Sequence, residues 1–234
     1  MNGKNIVIVG ASSGIGKSVA QILGEKGANI YSISRNEPEF PTTMPYEHCT
    51  HDILNEEFPV DFLPDTIDAL IYCPGSINLK PFRSMKVEAF RDDYEINVIG
   101  AVKSIKAALK PMKKAEGTPS VVLFSTVAAQ QGMPFHASIS AAKGAVEGLT
   151  RTLASELSPK IKVNCIAPSL TQTPLASHIL SSEERIEASN NRHPLKRIGQ
   201  PEDIAQMAAF LVDEGSSWIT GQVIGVDGGL SRLR

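Results

Sequence analysis

The chain carries almost no excess charge and no run of basic residues. Twenty-three lysines and arginines face twenty-five aspartates and glutamates, for a formal net charge of −2. Nothing therefore draws it electrostatically to nucleic acid or to an anionic membrane surface, and neither is expected as a partner. Long apolar runs are also missing. Residues 6–9 are apolar, but Gly10 and the polar Ser12 and Ser13 follow at once, too soon for a secretory signal core, and no later run is long enough to cross a bilayer. Cysteine is scarce: Cys49, Cys73 and Cys165 are odd in number and widely scattered. That argues against a disulfide framework and fits reduced thiols in the cytoplasm. His48, Cys49, His51 and Asp52 have the residue types of a metal site. Alternation along a strand would turn His48 and Cys49 to opposite faces, and zinc-type spacing is absent, so no metal is expected.

What the sequence does contain is regular alternation. With 42% hydrophobic and 21% charged residues in 234, residues 1–234 suit a single domain with a buried core. Strand-like apolar runs occupy residues 5–9, 29–34, 46–52, 69–73, 120–125, 162–166 and 222–226. Several are continuous rather than alternating, the pattern of strands buried on both faces of a parallel sheet. Between them lie helical stripes. Phe90, Tyr94, Val98, Val102, Ile105, Leu109 and Met112 recur at steps of four and three, as do Ile139, Ala142, Val146, Leu149, Leu153 and Leu157. The expected fold is α/β, a Rossmann-type doubly wound parallel sheet of about seven strands with helices on both faces. Residues 168–199 form one long irregular polar segment, read as a substrate lid rather than a domain boundary.

The glycine turn carries the first chemistry. Gly10, Gly14 and Gly16 lie between the first strand and the first helix, with Ser12, Ser13 and Ile15 among them. Glycines there let the chain turn sharply, let backbone approach a pyrophosphate and let the helix pack close to the strand. The helix N-terminus offers free N–H groups to the anion.

The pattern as a whole resembles the short-chain dehydrogenase/reductase family over essentially the full length. Residues 199–203 and the closing strand at 220–229 look like its ketoacyl-carrier-protein reductase branch. The resemblance implies a nicotinamide dinucleotide held by residues 10–16. Asp52 would lie at the adenine, Gly75 after the fourth strand, and Pro168, Leu170, Thr171 and Thr173 about the nicotinamide. It further implies that Asn97 holds a proton-relaying water and that Thr126, where the family has serine, positions the substrate oxygen. Lys143 would bind the ribose and lower the pKa of a tyrosine four residues earlier. Cofactor choice turns on the second strand, which ends Ser34-Arg35-Asn36 without the carboxylate that would hold ribose hydroxyls. Arg35 suits a 2′-phosphate, so NADP is favoured, with NAD as the alternative.

Two departures stand out. The fourth-strand motif reads Tyr72-Cys73-Pro74-Gly75 and keeps only the family's glycine, and position 139 is isoleucine where the family has its proton-donating tyrosine. Ile139 has no proton to give and begins a good apolar stripe. His136, Ser138 and Ser140 flank the gap, with His136 expected just before the helix, and a lysine-held water is a further substitute. Gly100 near Asn97 suggests a locally weakened helix. Two functions remain open. One is an NADP-dependent oxidoreductase acting on a carbonyl, acyl or secondary-alcohol substrate by an altered proton route. The other is a non-catalytic nucleotide-binding subunit or sensor paired with an active homologue. The resemblance implies a homo-oligomer, dimer or tetramer, or a hetero-oligomer with such a homologue.

Overall fold

The computed structural model describes residues 1–54 and 57–233. Its sheet has seven parallel strands: β1 (Asn5–Val9), β2 (Asn29–Ser34), β3 (Tyr46–Thr50), β4 (Ala69–Tyr72), β5 (Ser120–Phe124), β6 (Lys162–Pro168) and β7 (Val223–Val226), in spatial order β3-β2-β1-β4-β5-β6-β7. The order reverses between β1 and β4, the place where doubly wound sheets open a crevice beyond the strand ends. Successive residues of β1 explain the continuous apolar run. Val7 and Val9 join one core, Ile6 and Ile8 the other, all at most 2% exposed. The first core packs beneath helices α3 (Gly100–Lys114) and α5 (Ala137–Leu157), and the second beneath α1 (Gly14–Glu25) and α7 (Pro201–Val212).

The structure moves several expected boundaries. The third strand stops at Thr50 rather than Asp52 because its partner β2 stops at Ser34, leaving no strand to pair beyond it. β6 instead runs on to Pro168, held by β7 through the Pro168–Val226 register. The first long helical stripe is not one α-helix. It comprises α2 (Val87–Tyr94), a π-helical turn at Glu95–Ile99, and then α3. The α-helical ladder is interrupted next to Gly100, as its position suggested, and the glycine also provides space. A Cβ at Gly100 would lie 2.1 Å from the Tyr72 hydroxyl, which donates to the Ile96 carbonyl inside the π turn. The glycine makes room for a ring that fixes the turn.

Residues 168–199 are likewise more ordered than their composition suggests. They contain a short 3₁₀ turn at Pro174–Ala176 and the helix α6 (Glu183–Arg192), whose N-cap Ser182 accepts the Arg185 N–H. The segment is pinned at its base, where the Gln172 N–H donates to Gly199 O at 2.8 Å and the Gly199 N–H to Leu170 O at 3.0 Å. Among the described residues no helix is long and apolar enough to cross a membrane.

Candidate active site

The glycine turn has the geometry its composition implied. Gly10 sits at φ +84° and Gly14 at φ +53°, in the left-handed region that side chains avoid. A Cβ on Gly16 would fall 2.1 Å from the Gly10 carbonyl oxygen, so the strand end and the helix start touch as only glycine permits. Thr173 packs on Gly14, its Cβ 3.3 Å from where a Gly14 side chain would begin. The α1 N-terminus, capped at Ser13 without a side-chain bond, therefore faces the crevice with first-turn amides that no helical carbonyl satisfies. These residues fit a dinucleotide pyrophosphate. Arg35 is exposed, one residue beyond β2, where Ser34 Oγ donates to Asn36 O and no carboxylate intervenes. Asp52 lies two residues past β3, half-buried, and accepts the Leu54 N–H at 3.1 Å.

Beyond the ends of β4, β5 and β6 opens a cavity of about 270 Å³. Ile15 reaches it from the turn, Gly75 from the β4 end, Thr126 from the β5 end and Lys143 from α5. Pro168, Leu170, Thr171 and Thr173 close it from the β6 side. Lys143 is 8% exposed, and its Nζ donates to Phe124 O at 2.8 Å. Burial pushes its pKa down to about 8, although Cys165, Cys73 and Asp93 pull the other way. Thr126 caps the short helix α4 (Val127–Gln131), its hydroxyl accepting the Ala128 N–H. Asn97 lies in the π turn, 1% exposed, with Nδ2 donating to Ser76 Oγ and Asp93 O. Its Oδ1 has no hydrogen-bond partner among the described residues. Gly75 separates Asn97 from Lys143. A Cβ there would lie in ordinary contact, 3.4 Å from Asn97 Oδ1 and 3.6 Å from Lys143 Nζ, so the two groups border one space beside the glycine.

Ile139 is 5% exposed and lines the cavity, one helical turn before Lys143. Of the three flanking candidates, His136 lines the cavity from the N-cap of α5, with Nδ1 2.7 Å from Pro134 O. Ser140 donates instead to Ala128 O, and Ser138 is buried outside the lining.

Sequence reasoning missed two groups. Asp93 is fully buried, accepting hydrogen bonds from Ser76 Oγ and Asn78 Nδ2 on one oxygen while the other has no partner among the described residues. The available signal was its place one helical turn before Asn97. The second group is Ser169 and His193, which both line the cavity, with Ser169 Oγ 2.8 Å from His193 Nε2. No spacing links them, since they are 24 residues apart.

Residues 10–231 match a family model described as enoyl-(acyl carrier protein) reductase. With that match, the parallel sheet and the glycine turn, the chain belongs to the short-chain dehydrogenase/reductase family. Among its relatives, a tropinone reductase homolog of Arabidopsis thaliana is 32% identical over 245 residues, covering 98% of this chain and 92% of that protein. A short-chain type dehydrogenase/reductase from Mycobacterium ulcerans superposes with a TM-score of 0.90 at 31% identity, over 100% of this chain and 92% of the other. The protein ElxO, solved with NADP bound, gives a TM-score of 0.88 at 27% identity, with 97% and 98% covered.

Proposed function

We propose that this chain is an NADP-dependent oxidoreductase that interconverts a carbonyl and a secondary alcohol on a small, largely apolar molecule, by a proton route altered at Ile139. The observation that carries the reading is the convergence of Lys143 and Thr126 on one cavity at the strand ends, with Asn97 behind Gly75. A buried lysine is costly, and groups kept at such a cost cluster at functional sites. The reductase and dehydrogenase names of the relatives, and the NADP in ElxO, support the same class.

The cofactor, when bound, gives or takes the hydride. Residues 10–16 would hold its pyrophosphate on the α1 N-terminus, Arg35 its 2′-phosphate, and Asp52 would lie at the adenine. Pro168, Leu170, Thr171 and Thr173 would hold the nicotinamide end. Lys143, donating already to Phe124 O, keeps protons for ribose hydroxyls and for a water shared with Asn97 Oδ1. Thr126 would orient the substrate oxygen. Apolar lining from Leu170, Leu175, Ile179 and Ile139 selects a ligand with apolar parts and excludes water as it closes. The acyl substrate suggested by the resemblance, a cytoplasmic setting and assembly as a homo-oligomer belong to the same proposal.

A second reading, a non-catalytic nucleotide-binding subunit beside an active homologue, draws on Ile139, which packs where a proton donor would stand. Single-turnover oxidation of NADPH against a panel of ketones separates the two. The native chain is expected to turn over at least one ketone, and Ile139→Tyr to keep that activity or raise it by less than the roughly 100- to 10,000-fold that a general acid contributes where none exists. Turnover by the tyrosine variant alone favours the non-catalytic subunit. Cofactor binding without turnover by either protein refutes the oxidoreductase reading.

A further inference from the structure

The cavity has a proton-transfer pair that the family pattern does not supply. His193 is the C-cap of α6 and is 3% exposed. Its Nδ1 lies 2.7 Å from Ser189 O, a carbonyl that can only accept, so Nδ1 carries a proton. In the neutral ring Nε2 is then an acceptor, and Ser169 Oγ, 2.8 Å away, donates to it. This is a hydroxyl on a base whose far nitrogen is oriented by a third group, the arrangement that activates serine elsewhere. Ser169 follows Pro168, the last residue of β6, and is half-buried at the cavity wall. Having spent its proton on His193, its oxygen keeps lone pairs for a donor in the cavity. The Asp227 carboxyl, close enough to feel His193, is held low. Burial opposes this, but hydrogen bonds from Ser231 and Gly229 and the proximity of His193 outweigh it.

We propose that Ser169 and His193 carry the proton of the substrate hydroxyl, in place of the tyrosine absent at position 139. The proposal rests on the oxidoreductase reading above. In alcohol oxidation the substrate O–H proton passes to Ser169 Oγ while the Ser169 proton passes to His193 Nε2. The carbinol C–H leaves as hydride to the nicotinamide cofactor, giving a carbonyl, reduced cofactor and imidazolium. Carbonyl reduction runs the same transfers backwards from the imidazolium. The resting tautomer, with Nε2 unprotonated, is set for the oxidation direction.

The pair can be tested with and without redox turnover. In the full chain, His193→Ala is expected to lower NADP-linked oxidation of secondary alcohols by roughly 100-fold or more, with added imidazole restoring roughly tenfold. A merely bracing histidine would not be rescued that way. In the cofactor-free protein, a fluorophosphonate should phosphonylate Ser169 with loss of fluoride, the serine proton going to His193. Mass spectrometry should find the adduct in the native chain and in Ile139→Tyr, and not in His193→Ala or His193→Gln. Native-like turnover by both His193→Ala and Ser169→Ala overturns the pair. So does loss of turnover with neither imidazole rescue nor labelling of native Ser169. Labelling of native Ser169 without native turnover on any alcohol or ketone refutes the oxidoreductase reading and leaves the proton-transfer pair standing.

Discussion

Replacing Lys143 with methionine should stabilise the cofactor-free protein, and by an amount that depends on pH. The lysine is buried, and its pKa is lowered from 10.5 to about 8. Between those values the unfolded chain holds a proton that the folded chain has released, so native stability rises with pH across that window. Below about pH 8 the folded protein carries the full cost of a buried ammonium. At about 1.4 kcal/mol per pH unit, the gap is worth about 3 kcal/mol. Methionine has a similar reach and no charge. It removes that cost and forfeits the hydrogen bond to Phe124 O, worth about 1 kcal/mol at any pH. Urea unfolding should therefore find Lys143→Met more stable than the native chain by about 2 kcal/mol at pH 7, with most of the advantage gone by pH 10. A difference that stays constant between pH 7 and pH 10, or a variant less stable at pH 7, would refute the argument that the lysine is held at an energetic cost.

Other expectations follow from the same geometry. Gly16→Ala would place a methyl 2.1 Å from Gly10 O, and calorimetry should find loss of measurable NADPH binding together with a lowered melting temperature. Arg35→Ala should weaken NADPH binding roughly ten- to a hundred-fold, the worth of a charge-assisted contact, while leaving NADH affinity within about threefold. Equal losses for the two cofactors would remove Arg35 from the 2′-phosphate site.

How far the sequence reached can be judged from particular residues. The inner strands were legible because both their faces are buried, so Ile6 through Val9 read as one apolar run although alternate residues serve different cores. The stripe from Ile139 to Leu157 was legible for the complementary reason, since a helix buries a single face. The π turn at Asn97 was not, because it depends on Tyr72 reaching across from β4 to the Ile96 carbonyl. The sequence offers only Gly100, which suggests a weakened helix but not the form of the turn. Asp93 follows Arg91 and Asp92 and reads like part of a solvated face. Only the fold turns Ser76 and Asn78 toward it. The proton pair was hidden in the same way, with His193 in a polar segment that composition alone describes as irregular.

The pinned base of residues 168–199 makes that segment a closed loop, with its two ends in contact through Thr171 and Gly199. Such a loop cannot swing away as a flap hinged at one end; its motion is confined to the 3₁₀ turn and α6. Closing a loop costs little more when the loop grows, about 0.6 kcal/mol for a doubling of length. The stretch between the pins is therefore a cassette. It can be lengthened or exchanged with little strain on the sheet beneath it, and the shape of the cavity changes with it. Because His193 rides on the cassette while Ser169 stays at the end of β6, any such exchange would alter the ligand admitted and the proton pathway together.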